Sequence, residues 1–296
     1  FVDNDNPEAS RAAVTEKTRA IFVESLANPG GVIVDLEAIA KIAQEAEVPL
    51  IVDNTMATPW LCRPFEWGAD LVVHSTTKFL SGQGNAMGGI VIDSGRFPWF
   101  GNAKYPSLSE PCPDYNGLTF AETFGDMAFT LYSHAVSLRD LGCTQSPMNA
   151  WITLNGVETL PLRMERHVEN AQKVAGFLQQ HPSVEWVSYA GLSSSPYYQL
   201  AQKYLQGKAG SVFTFGIRGG YESGLRLLEK VELFSHVSNI GDSRSLILHP
   251  ASTTHRQLSD EQRLTAGAGP EVIRLSVGIE SAEDLIADLE QALEGL

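Results

Sequence analysis

Positive charge is scarce: 21 basic residues stand against 35 acidic ones, a formal net charge of −14. Lysine and arginine are scattered, with no run of three. A chain repelled by polyanions needs a concentrated basic patch to hold a phosphate backbone or an anionic bilayer. None is present, so nucleic-acid and membrane partners are not expected, while small anions, which need only one or two cations, stay open. Cysteine is scarce too. Cys62, Cys112 and Cys143 form no CxxC pair and match no zinc-ligand spacing, so no metal site is expected and they read as thiols in a reducing cytoplasm. No apolar run approaches the roughly 18 residues of a membrane-spanning helix. Internal repeats and low-complexity segments are absent. Residues 1–7 lack a signal-peptide pattern and read as the tail of a strand entering a turn, as though the chain began within a fold.

What is present is enough apolar material, 43% of 296 residues, for one long α/β domain or two domains. Glu8 to Lys17 reads as helix, and Arg19 to Val23 as a strand ending at Glu24-Ser25. Asp35 is positioned to cap a helix whose Leu36, Ile39, Ala43 and Ala46 share a face. Pro49 to Val52, Ala69 to Val73 and Met87 to Ile92 read as strands. Helices alternating with all-apolar strands predict a parallel sheet buried on both faces. Trp99 to Phe120, rich in Pro, Gly and Asn, reads as an extended loop. Pro147 to about Gln180 reads as one long helix. Strands at Val184 to Ser188, Val212 to Ile217 and Val272 to Val277, with helices near Glu222 to Lys230 and Ala282 to Leu293, then suggest a smaller α/β domain.

Ligands of such sheets collect beyond the carboxyl ends of the strands. Three successive strand ends here carry polar groups: Glu24 to Asn28, Asp53 to Thr55, and His74 to Lys78. Singly they mean little, since an Asp after a strand is ordinarily a turn residue and a loop Lys a solvated charge. Together they supply what pyridoxal phosphate (PLP) requires: an amine in Lys78, a carboxylate for the pyridine nitrogen in Asp53, and phosphate-holding hydroxyls in Ser75 and Thr77. Asn28 lies within reach of the ring's phenolic oxygen. Arg274 interrupts an apolar strand with a guanidinium fork suited to a carboxylate.

The segments Val52-Asp53-Asn54-Thr55 and Gly68 to Gly82, the latter containing His74-Ser75-Thr76-Thr77-Lys78, closely resemble the signature of the Cys/Met-metabolism PLP enzymes. The similarity extends through Glu24 to Pro29, Met87-Gly88-Gly89, Leu162 to Glu165 and Ile273 to Glu280. The resemblance implies the aspartate aminotransferase fold (fold type I): a mostly parallel sheet sandwiched by helices in a PLP-binding domain, 1–165, and a smaller C-terminal α/β domain, 166–296. It implies PLP covalently held on Lys78 as a Schiff base, Asp53 as pyridinium partner, and Ser75 and Thr77 at the phosphate. Arg274 and Ser245 would bind the substrate carboxylate. A homotetramer, a dimer of dimers with sites at subunit interfaces, also follows from it. Family members carry about a further third of chain before the point where this one starts. The 99–120 loop and Ser245 to His255 are most similar to the O-acetylhomoserine sulfhydrylases. That subgroup implies γ-replacement on O-acetyl-L-homoserine with sulfide, yielding L-homocysteine and acetate. The same motif serves O-succinylhomoserine sulfhydrylases, cystathionine γ-synthases and methionine γ-lyases. A catalytically silent PLP-fold binding protein would have no chemical need for Asp53 and Lys78. His249 and His255 read either as site-facing or as satisfied structural histidines.

Overall fold

Val2 and residues 6–296 are described in the computed structural model, so the strand tail read at 1–7 falls largely outside the described residues. Helix α1 (Pro7–Ala13) starts where the Asn6 side chain accepts the Glu8 N–H. It ends four residues earlier than the sequence pattern predicts. The Thr15 N–H donates to the Thr18 hydroxyl there, a local bond that competes with helix continuation.

Strands β1 (Ile21–Glu24), β2 (Leu50–Asp53), β3 (Leu71–Ser75) and β4 (Gly89–Asp93) form one sheet in that order. The first three are parallel, in a register that sets Glu24 beside Asp53 and Asp53 beside Val73. Helix α2 (Leu36–Glu45) makes the crossover from β1 to β2. Asp35 caps it by accepting the Ala38 N–H, and Leu36, Ile39, Ile42 and Ala43 are buried beneath it. The sheet is mostly parallel, as expected, with one antiparallel strand, β4, at its edge beside β3. A loop without a crossover helix joins them, and only a crossover allows parallel pairing. Leu50, Val52 and Val72 are buried, while Phe22 and Val91 are each 58% exposed.

The expected extended loop at 99–120 instead contains a short helix at Pro106–Ser109, a 3-10 turn at Pro113–Tyr115 and a bridge between Cys112 and Leu118. Aromatic packing explains this compaction. Phe97, Trp99, Leu108 and Phe120 form a satellite core, with the Trp99 and Phe129 rings stacked 5.5 Å apart. The single long helix is also corrected. It is two helices, α3 (Pro147–Glu158) and α4 (Leu160–Gln180), parted at Thr159. Pro161 lacks an N–H and tolerates only the first turn of a helix, so the second helix must start anew beside it.

A second sheet comprises β5 (Val184–Ser188), β6 (Val212–Ile217), β7 (Ser235–His236), β8 (Leu246–Leu248) and β9 (Val272–Ser276), ordered β5-β6-β9-β8-β7. Every residue of β6 and β9 is buried. Helices α5 (Gly220–Lys230) and α6 (Ala282–Leu293) flank this sheet. One continuous core joins Leu50 and Val52 of the first sheet to Phe213 and Ile273 of the second by way of Met164 and Ala171 on α4.

Helix α3 lies against the backbone that follows β3. A Cβ at Gly156 would fall 2.3 Å from the Leu80 carbonyl oxygen and 2.6 Å from that of Ser81, whereas one at Gly176 on α4 meets nothing within 4 Å. Gly156→Ala is therefore expected to destabilise the protein by about 1–3 kcal/mol through overpacking. Gly176→Ala is expected to stabilise it by up to about 1 kcal/mol through helix propensity. Urea denaturation of both variants checks the pair; equal effects would contradict the packing described.

Candidate active site

The carboxyl ends of β2 and β3 present Asp53 and Ser75 on the same face of the sheet, since side chains alternate along strands and Asp53 pairs with Val73. Asp53 accepts the Thr55 N–H at 2.9 Å, and the Thr55 hydroxyl accepts the Ser75 N–H at 2.8 Å. These bonds tie the two strand ends together. Beyond β3 the chain enters a π-helical turn, Thr76–Leu80, in which Lys78 has non-helical dihedrals (φ −93°, ψ −128°). The Thr77 hydroxyl is engaged by Gly88, accepting its N–H at 3.1 Å and donating to its carbonyl at 3.3 Å. Thr77 thus ties the turn to the start of β4.

Lys78 extends to the second sheet. Its Nζ donates to Asn239 Oδ1 at 2.5 Å, across 161 residues of sequence. Arg274, in the centre of β9 and only 9% exposed, converges on the same place. Its Nη2 donates to the carbonyls of Ser238 (2.9 Å) and Asn239 (3.3 Å), and its Nη1 donates to Asn28 Oδ1 at 3.4 Å. Asn28 is held from the other side, its N–H donating to Glu24 Oε2 at 3.1 Å. Lys78, Asn28 and Arg274, from three distant stretches of sequence, are thus brought together.

Both cations are electrostatically unsettled. Burial pulls the proton affinity of Lys78 down, and the Arg274 charge lowers it further. Burial likewise lowers that of Arg274, whose hydrogen-bond partners are neutral oxygens. A desolvated guanidinium facing only carbonyl and amide oxygens is a ready receptor for an incoming anion. Desolvation and the Asp53 charge both act to raise the proton affinity of Glu24, desolvation being the larger cause.

Ser245 is not among the residues brought together around Lys78. It is 0% exposed, donates to Glu280 Oε2 at 2.9 Å and accepts the Gly278 N–H at 2.8 Å. Its hydroxyl is fully used inside the second sheet. His249 is a satisfied structural histidine, its ring nitrogens 3.0 Å from Ser252 Oγ and 2.9 Å from the Pro270 carbonyl. The ring of His255 contacts its neighbour Thr254. Asn239 and Glu24 escaped notice as site residues. Asn239 belongs to a polar stretch, Ser238 to Asp242, with no local pattern, and only the tertiary fold brings it to Lys78. Glu24 offered a signal, an acid ending a strand beside the one that ends in Asp53.

Removing the Arg274 charge should raise the proton affinity of Lys78. In Arg274→Leu, the pH midpoint for acylation of the Lys78 amine, followed by peptide mass spectrometry, is expected to move upward. An unmoved midpoint would show that the two groups do not sense each other.

Comparison with known proteins gives this geometry a context. The pattern of the Cys/Met metabolism PLP-dependent enzymes matches residues 1–294. The O-acetyl-L-homoserine sulfhydrylase of Leptospira meyeri is 50% identical over 305 residues, covering 100% of this chain and 69% of the relative. The homocysteine synthase of Schizosaccharomyces pombe is 45% identical, covering 99% and 69% respectively. A crystal structure described as an O-acetylhomoserine (thiol)-lyase from Campylobacter jejuni, with a pyridoxyl-lysine monophosphate, superposes with a TM-score of 0.95 at 42% identity. It matches 99% of this chain and 70% of that one. Two mixed sheets with flanking helices, aligned this closely to a PLP enzyme, identify the α/β architecture as fold type I. The chain belongs to the Cys/Met metabolism family of PLP-dependent enzymes.

Proposed function

We propose that this protein replaces the acetyl ester of O-acetyl-L-homoserine with sulfide, forming L-homocysteine and acetate, with PLP carried on Lys78. The observation that carries the reading is the pairing of a half-buried lysine amine with a buried guanidinium that faces only neutral oxygens. Relatives named for this activity, at 50% and 45% identity, support the choice of substrate.

The residues fit the cofactor and the substrate in chemical kind. Asp53 supplies a carboxylate able to keep a pyridine nitrogen protonated. Ser75 and Thr77 supply hydroxyls for a phosphate, with Thr77 exchanging its bond to the Gly88 carbonyl for one to the phosphate. Asn28 keeps its amide NH2 for a ring oxygen while its Oδ1 holds Arg274. When bound, PLP supplies an electron-poor ring that accepts electron density from the substrate's α-carbon.

Lys78 acts as general base and acid, taking the proton from the α-carbon and returning it along the substrate chain. Its lowered proton affinity suits that work, because a larger share of the amine is free base at neutral pH. Arg274 orients the substrate by a bidentate grip on its carboxylate, releasing the Ser238 and Asn239 carbonyls. The Cγ–O bond breaks with its electron pair leaving on acetate, and the sulfur of hydrosulfide supplies the pair for the new Cγ–S bond.

With this activity we propose residues 1–165 as the PLP-binding domain and 166–296 as the smaller domain. A homotetramer is proposed too. Met148, Trp151 and Leu154 on α3, each more than 60% exposed, offer apolar surface for subunit contacts. A cytoplasmic location fits the three free thiols. No helix among the described residues is long and apolar enough to cross a membrane.

Product analysis of the PLP-loaded protein with O-acetylhomoserine tests the reading. Homocysteine is expected only when sulfide is supplied, and Lys78→Ala is expected to abolish turnover. Release of 2-oxobutanoate in place of homocysteine, or full turnover by Lys78→Ala, would contradict it.

A further inference from the structure

The backbone that follows Lys78 and the backbone that follows Arg274 are gripped by one face of α4. Arg163, His167 and Asn170 recur there at spacings of four and three, which align residues along a single stripe. Arg163 Nη1 donates to the Phe79 carbonyl at 2.8 Å, and Nη2 donates to those of Gly156 (2.6 Å) and Leu80 (3.4 Å). Asn170 Nδ2 donates to the carbonyls of Gly278 (3.0 Å) and Glu280 (2.8 Å). His167 touches both segments. Its Nδ1 lies 2.6 Å from the Val277 carbonyl, and its ring meets Phe79 edge-on at 5.4 Å.

Two features distinguish this stripe from ordinary core polarity. Arg163 is half-buried, burial lowers its proton affinity, and its partners are carbonyls together with the Thr159 hydroxyl. A planar fork bridging three carbonyls at once is geometry that no shorter or point-charge donor reproduces. The fold also reserves space for it. A Cβ at Gly82, whose φ is +77°, would fall 2.3 Å from Arg163 Nη1. His167 needs no charge to make its contact: a carbonyl accepts only from a protonated Nδ1, and burial pushes its pKa down to about 4, so the ring stays neutral.

We infer that Arg163 is a positioning residue for Lys78, and that the α4 stripe fixes the Lys78 amine in register with the Arg274 guanidinium. The inference deepens the proposed function and rests on the roles given there to Lys78 and Arg274. Arg163's first contact, Phe79, is the residue next to Lys78, and His167's contact, Val277, lies three positions after Arg274. A shift in α4 therefore moves both functional groups together. A loss of Arg163 releases only the lysine side.

Arg163→Lys and Arg163→Met, each loaded with PLP, test this, with Lys78→Ala as reference. Three readouts are taken: the pH midpoint of the visible absorption band, kcat, and KM for O-acetylhomoserine. Both Arg163 variants are expected to keep the band. Their pH midpoint should be displaced, because the distance between Lys78 and Arg274 changes. Their kcat should fall by about 10- to 100-fold, with KM much less affected, the signature of a displaced reacting group rather than a lost binding contact. Arg163→Lys, which keeps charge without the fork, should lie between wild type and Arg163→Met, and it decides the question alone if Arg163→Met does not fold. Wild-type kcat and midpoint in a folded Arg163 variant would overturn the inference, even with lowered thermal stability. A visible band persisting in Lys78→Ala would instead overturn the assignment of Lys78, and the inference with it.

Discussion

The arrangement depends on an unfavourable encounter: two cationic side chains, Lys78 and Arg274, drawn from different sheets into a partly buried space with only neutral oxygens as partners. Desolvated positive charges without a counter-ion oppose folding. The opposition is useful, because an anionic ligand arriving there gains what the protein has withheld. Much of the fold serves to hold the encounter in place. Asn239 meets both groups, Asn28 steadies the guanidinium from the first sheet, and bonds among Asp53, Thr55 and Ser75 fix the strand ends beneath.

The two sheets contribute differently. The parallel portion, β1 to β3, gathers polar residues at its carboxyl ends by topology alone, since each crossover returns the chain to the same end. The second sheet carries Arg274 in mid-strand, where its antiparallel neighbours β6 and β8 lock its backbone on both sides. Helix α4 packs against both through one continuous core. The Arg274 guanidinium comes from a rigid strand, and the Lys78 amine comes from a turn between β3 and β4 that its surroundings hold.

The local pattern made much of this legible. Apolar runs located β2, β3, β6 and β9, and Asp35 marked the start of α2, because burial and capping are decided by near neighbours. The lysine segment was readable because strand ends in a parallel sheet converge by rule. What escaped depended on contacts distant in sequence. Asn239 approaches Lys78 across 161 residues. The 99–120 region looked like loop because its Pro and Gly content masked an aromatic cluster that folds it. Where the Ser245 hydroxyl points is likewise set by a distant residue, since Glu280 accepts from it. The break at Thr159 was visible in Pro161 but was overridden by the helical periodicity on either side.

The proposed chemistry requires that Lys78 carry the cofactor. Borohydride reduction of the PLP-loaded protein, followed by proteolysis and peptide mass spectrometry, tests it directly. A single pyridoxyl-modified peptide is expected, with the added mass on Lys78. Modification at another lysine, or none in a protein that binds PLP, would contradict it.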